Sequence, residues 1–125
     1  MEDLETLISI EDEGRLNLVS GKREIAPGIT LALDGSHTPG SQYVIIETLN
    51  GPVIIAGDAC YTYKNNRWHI PIGNSIDPQT NLSTIRKMHR QASSPFFILP
   101  GHDPLVMQWF PEVSEGIVRI TSIPK

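Results

Sequence analysis

Three polar side chains stand where a chain commonly assembles chemistry. His37 lies in the loop Gly-Ser-His-Thr-Pro-Gly-Ser, Asp58 follows Val53-Ile-Ile-Ala-Gly57, and His102 follows Phe96-Phe-Ile-Leu-Pro-Gly101. Each is preceded by at least one small residue, which lets the backbone approach closely and the side chain turn toward a shared edge. Two neutral imidazoles and a carboxylate are suitable ligands for zinc or another borderline transition metal. Singly, each has a plainer reading: a turn histidine, an aspartate capping the next segment, a surface histidine after Pro-Gly. Together, three such residues at strand exits make a metal site a real alternative to those roles.

The elements that must position them can be read from periodicity. Leu16–Val19 alternates and is closed by Ser20-Gly-Lys22, which predicts a strand and a turn. Ile29–Leu33, Tyr43–Leu49 and Pro52–Ala56 predict further strands, the last two joined by Asn50-Gly51, a dipeptide suited to a tight hairpin turn. Asp77-Pro78 opens the best helix, with Asp as N-cap, Pro at the first helical position, and Leu82, Ile85, Met88 and His89 at helical spacing. Pro95–Leu99 reads as a buried strand stopped by Pro100-Gly101, and Gly116–Thr121 as a final strand. Residues 2–13 carry Leu4, Leu7, Ile8 and Ile10 among acids, a weak amphipathic helix or irregular arm. A β-rich first part followed by helix, strand, loop and strand suggests an α+β or α/β layer, a sheet with a helix on one face.

The totals bound the function. The 125 residues fit one domain spanning 1–125, long enough for a real core. A net charge of −4 and the lack of a basic stripe argue against a nucleic-acid binder. Arg86, Lys87 and Arg90 share one predicted helix and read as a solvated face. One cysteine, Cys60, excludes an internal disulfide and favours a reducing compartment; it reads as a small buried filler. The acidic N-terminus, with its short and broken apolar run, resembles neither a secretory signal nor a membrane span, so a cytoplasmic protein is expected. His69 and His89 read as structural or surface residues.

The stretches His-Thr-Pro-Gly-Ser-Gln, Ala-Gly-Asp-Ala-Cys-Tyr and Ile-Leu-Pro-Gly-His-Asp-Pro, in this order and spacing, resemble the metallo-β-lactamase fold superfamily of metallohydrolases. Within it they look most like the N-acyl homoserine lactonase group. The resemblance runs from about Leu16 onward and implies an α+β fold of αββα type. It implies that His37 binds a first metal, zinc or another divalent transition metal, that Asp58 bridges two metals, and that His102 binds the second. The Asp58-Ala-Cys-Tyr61 segment matches one in which a tyrosine hydroxyl hydrogen-bonds the substrate carbonyl, which gives Tyr61 a catalytic part. The plainer role for Tyr61 is a ring packed over the core edge with a wet hydroxyl.

The superfamily signature His-x-His-x-Asp-His does not occur in this sequence: its histidines are 37, 69, 89 and 102. By resemblance, then, the chain corresponds to the C-terminal half of the fold. Each ion would have two protein ligands from it, where catalytic zinc usually holds three plus water. One sheet face would be left bare, an apolar patch that normally demands a partner. Two functions compete. One is a metal-dependent hydrolase of a lactone or ester, completed by a homo-oligomer, by another chain supplying the missing ligands, or by an N-terminal half that carries them. The other is a non-catalytic half-fold remnant or interaction module that binds metal weakly or not at all. A purely structural metal site fits less well, because closed sites usually have four protein ligands.

Overall fold

The computed structural model of the chain describes residues 2–120. Its centre is a five-stranded sheet of β1 (Lys22–Ala26), β2 (Ile29–Leu33), β3 (Gln42–Ile46), β4 (Val53–Gly57) and β5 (Ile98–Pro100), in that spatial order. The first four strands are antiparallel neighbours, and β5 joins β4 in parallel. A parallel neighbour cannot be reached by a tight turn and needs a long crossover. Here the crossover contains α2 (Tyr63–Trp68) and α3 (Pro78–Gln91). The fold is thus α+β with a mixed sheet, as the sequence implied.

Helix α3 starts where its signals place it. The Asp77 carboxylate accepts from the backbone N–H groups of Gln79 and Thr80, both at 3.0 Å, and Pro78 takes a position that needs no donor. Its inward stripe is Asn81, Thr84, Ile85 and Met88, one face at helical spacing. Ile85 and Met88 are fully buried against Tyr43, Ile45, Ile54, Ala56 and Ile98 of the sheet. Burial of each such side chain contributes about 1.5–3 kcal/mol. Truncating Ile85 would open a cavity between α3 and the sheet.

Strand register decides what lies on the other face. Leu31, Val44, Ile55 and Leu99 pair across four neighbouring strands and form one row opposite α3. Among the described residues, the β4–β5 edge of that face is the part that is well covered. There Val53 packs with Phe97 and Phe110, supported by Leu99, Val106 and Trp109. Val106 and Trp109 belong to α4 (Leu105–Trp109), which precedes a separate hairpin of β6 (Glu112–Ser114) and β7 (Ile117–Val118). Farther along the face, Leu33 and Ile55 remain 43% and 44% exposed, so the patch is apolar and open.

Several expected elements differ. Residues 16–19 form no strand, and Leu18 is exposed: alternation alone cannot hold a strand without a neighbour to pair with. The first strand comes later, at Lys22–Ala26, where it meets β2 through Pro27-Gly28. The β3–β4 link is longer than two residues; its turn closes with Gly51 N–H donating to the Thr48 carbonyl at 3.0 Å. Pro95–Phe97 is a 3₁₀ turn that leads into a short β5. The last expected strand is confined to Ile117–Val118, and Thr121 lies outside the described residues. The N-terminal segment is a helix, α1 (Glu2–Asp12), with Leu4, Leu7 and Ile8 exposed. Among the described residues no helix is long and apolar enough to cross a membrane.

Candidate functional site

His37, Asp58, Tyr61 and His102 come together at the sheet edge where β2, β4 and β5 end. Asp58 sits between the two histidines. Its Oδ1 accepts from His102 Nε2 at 2.7 Å, and its Oδ2 lies 3.6 Å from His37 Nε2. Tyr61 stands between the imidazoles, edge-on to both, with ring centroids 4.7 Å from His102 and 6.0 Å from His37. The sequence-predicted residues are therefore neighbours, although 65 positions separate the outer two.

Each loop is held by specific groups. The His37 loop wraps around the buried carboxylate of Asp34, which accepts from Ser36 N–H, from Ser36 Oγ at 2.7 Å and from Ser41 Oγ at 2.8 Å. Asn81, fully buried on α3, joins three loops at once. Its Nδ2 donates to Ser36 Oγ and to the Ala59 carbonyl, both at 2.9 Å, while its Oδ1 accepts from Ile72 N–H at 3.0 Å. The His37 loop, the Asp58 turn and the segment leading to Asn74 are thus tied to one side chain. On the far side, Gly101 and His102 N–H donate to the Cys60 and Tyr61 carbonyls, both at 2.9 Å. Gly101 passes so close to Gly57 that a Cβ there would lie 2.5 Å from the Gly57 carbonyl oxygen. Glycine at 101 is what lets the His102 loop reach Asp58. Asp103 adds a further tie, accepting from Tyr63 N–H at 2.8 Å and from Leu105 N–H at 3.0 Å.

The hydrogen bonds also fix the imidazole of His37. Its Nδ1 lies 2.8 Å from the Asn74 carbonyl, an acceptor only, so Nδ1 carries the proton. Nε2 of the neutral ring then presents a lone pair to the Asp58 carboxylate, an unfavourable meeting of acceptors that a positive charge between them relieves. A backbone carbonyl on one ring nitrogen with the other left free is the usual arrangement of a metal-binding histidine. Tyr61 Oη is 3.4 Å from the same Nδ1; because that nitrogen already carries a proton, the phenol accepts there and keeps its own hydrogen to donate elsewhere.

Distances test the metal reading further. Two ligands about 2.1 Å from a tetrahedral ion lie about 3.4 Å apart. His37 Nε2 and Asp58 Oδ2, at 3.6 Å, meet that spacing. His102 and Asp58, at 2.7 Å, are in direct hydrogen bond and would have to part before sharing an ion. The His102 side chain is 60% exposed, so it has room to turn. Among the described residues, no three His, Cys, Asp or Glu side chains converge on one point to hold a metal ion. The donor types fit a divalent transition metal; their number in this chain falls short of a closed set.

No family model matches the chain. Over 72 residues, 57% of its length, it is 36% identical to an N-acyl homoserine lactonase of a Bacillus species and 35% identical to the lactonase AiiA of Bacillus thuringiensis subsp. kurstaki. A Bacillus thuringiensis AiiA variant with N-decanoyl-L-homoserine at its active site superimposes with a TM-score of 0.63 and 29% identity, over 74% of this chain and 37% of that one. The chain resembles the N-acyl homoserine lactonases and shares their metallo-β-lactamase fold. An N-acyl homoserine lactone hydrolase with N-hexanoyl-L-homoserine at its catalytic metal center gives the same TM-score, 0.63. A probable metal-dependent hydrolase from Staphylococcus aureus, 24% identical with a TM-score of 0.57, shares the fold. The matched segment spans 28% of the length of the curated lactonases.

Within the Asp58 loop, Cys60 is fully buried, and burial pushes its thiol up to about 12. It packs as a small core side chain, its Sγ 3.4 Å from the Thr62 carbonyl. His89 bonds the Asn66 carbonyl through Nε2 and packs on His69, which is the C-cap of α2. Burial, then the neighbouring His89, lowers the pKa of His69. Sequence reasoning missed Asp34, Ser41, Asn74 and Asn81. The short polar run around Asp34-Gly-Ser36 is a local turn signal, but nothing along the chain marks Asn81 as their partner.

Proposed function

We propose that this chain supplies part of a metal-dependent active site that hydrolyses lactones or related esters, with N-acyl homoserine lactones as the substrate class. The observation that carries this reading is Asp58 flanked by two imidazoles, one of them fixed by the Asn74 carbonyl with its Nε2 directed at the carboxylate. His37 and Asp58 would hold one zinc or similar divalent ion, and Asp58 and His102 a second. The ion would lower the pKa of a water to about 7 and so make hydroxide available at neutral pH. Tyr61 would donate its unspent hydroxyl hydrogen to the carbonyl oxygen as charge develops there, and Asp58 would take the proton given up by the attacking water and hand it to the leaving oxygen.

The chain forms a single domain equivalent to the C-terminal half of the fold, and the remaining ligands come from another polypeptide, from a second copy or from an N-terminal half of the same protein. The exposed Leu33 and Ile55 on the open sheet face support such an association. A cytoplasmic, reducing setting belongs to the same proposal, since the single cysteine has no disulfide partner.

The test is zinc content after dialysis against Zn(II), measured with opening of N-hexanoyl-L-homoserine lactone and with mass in solution. His37→Ala and His102→Ala should each lower bound zinc. Unchanged zinc in both variants would remove the metal site. The alternative, a non-catalytic interaction module, is favoured by the direct His102–Asp58 hydrogen bond, in which the two groups engage each other. Zinc well below one per chain, with no lactone opening, would select it.

A further inference from the structure

A second concave site lies at the opposite end of β5 from His102. It is a cleft of about 390 Å³ between α2, α3, the 3₁₀ turn and α4. That volume is in the range of small-molecule sites. Its walls are aromatic: the Tyr63 and Trp109 rings lie 4.4 Å apart and tilted, and Phe96 meets Trp109 edge-on at 5.8 Å. Phe96 is 47% exposed, so the aromatic surface opens to solvent.

Two polar features point to an occupant. Asn66 belongs to the wall and is only 2% exposed; its Nδ2 donates to the Pro95 carbonyl at 2.8 Å, and its Oδ1 has no hydrogen-bond partner. Buried acceptors are nearly always paired, so an orphan just behind a cleft wall marks a place for a donor from outside the chain, reached by a small shift of the amide. The second feature is charge. Five of the ten Lys and Arg residues sit on α2 and α3 (Lys64, Arg67, Arg86, Lys87 and Arg90), and neither helix contains an acid. None of the five makes an ion pair among the described residues, and Arg67 itself lines the cleft. Asp103, whose Oδ2 accepts from the N–H of cleft residue Tyr63, is also engaged by Leu105 N–H. A net-negative chain thus presents a cation without a carboxylate partner, its guanidinium 5.3 Å from the Trp68 ring centroid, beside an aromatic box with a spare acceptor.

We propose that this cleft binds a small aromatic acid: a flat ring among Tyr63, Phe96 and Trp109, an N–H or O–H donor to Asn66 Oδ1, and a carboxylate at Arg67. Stacking supplies the apolar part, and the guanidinium selects the anion. The site is independent of the metal-binding reading, since it uses none of the same residues.

Indole-3-acetate is a suitable probe because it carries all three groups; indole lacks the carboxylate and acetate lacks the ring. Titrations followed by heteronuclear NMR should give saturable shifts at the Trp109 indole N–H and the Asn66 side-chain amide. Arg67→Gln, an exposed change that leaves the fold intact, should weaken indole-3-acetate about tenfold, the loss of one charge-assisted hydrogen bond, and leave indole unaffected. Phe96→Ala should weaken both. The proposal is overturned if indole and indole-3-acetate bind equally, if Arg67→Gln changes nothing, or if the shifts gather at Leu33 and Ile55 on the open sheet face instead.

Discussion

Replacing Asn81 with alanine tests how the candidate site is held together. The side chain is fully buried and makes three hydrogen bonds, to Ile72 N–H, the Ala59 carbonyl and Ser36 Oγ. Alanine leaves the Ile72 N–H and the Ala59 carbonyl, both on buried residues, without that partner. Each stranded group costs about 1–3 kcal/mol, and the better helix propensity of alanine returns about 0.5 kcal/mol. The expected loss is about 3 kcal/mol, a large share of the roughly 5–15 kcal/mol a domain possesses. With a urea slope of about 2 kcal/mol per molar, the unfolding midpoint should fall by about 1.5 M. Far-UV circular dichroism measures that midpoint. Because Asn81 also ties the His37 loop to the Asp58 turn, the His37 ring resonances should move in the folded variant. A double mutant with Ser36→Ala should be less destabilised than the two single losses summed, since they share a bond. A midpoint shift under about 0.3 M with unmoved His37 resonances would show that the three loops hold their places without Asn81.

Gly101→Ala puts a Cβ 2.5 Å from the Gly57 carbonyl oxygen and 2.8 Å from its carbon, both backbone atoms that cannot turn aside. It should cost about 1–3 kcal/mol and shift the His102 ring resonances as the hydrogen bond to Asp58 breaks; an unchanged ring environment would refute the close approach. Tyr61→Phe should reduce lactone opening about a hundredfold while leaving zinc content unchanged, and equal activity would remove the tyrosine from catalysis. Asp77 is held below its ordinary value of 3.8 first by the Thr80 hydroxyl and then by the Thr80 N–H. A carboxylate so depressed stabilises the fold above its unfolded value and loses that contribution as pH falls through the folded one. Thermal unfolding of wild type and Asp77→Ala should therefore differ at neutral pH and converge below pH 3.8. A gap that persists in acid would mean the cap works without its charge.

Much of the site was legible along the chain because its parts are local. A histidine or aspartate after a glycine at a strand exit is a short-range pattern, and so is the Asp77-Pro78 start of α3. Strands β2, β3 and β4 were readable for the same reason, each having apolar residues between turn signals. Leu16–Val19 shows the limit: its alternation matches a strand, yet no neighbour pairs with it, and the same apolar pattern one hairpin later becomes β2.

What the sequence alone determined is which side chains are available: two imidazoles, one carboxylate and one phenol, without a His-x-His pair. Tertiary structure decided that Asp58 stands between His37 and His102, that the Asn74 carbonyl sets the His37 tautomer, and that one buried amide on α3 joins three loops. It also decided the aromatic cleft, whose walls come from four separate segments. The reason is physical. Turn and helix signals act over a few residues, whereas these meetings depend on β5 adding in parallel to β4 and on α3 packing across the sheet, and both are settled by burial summed over the whole core.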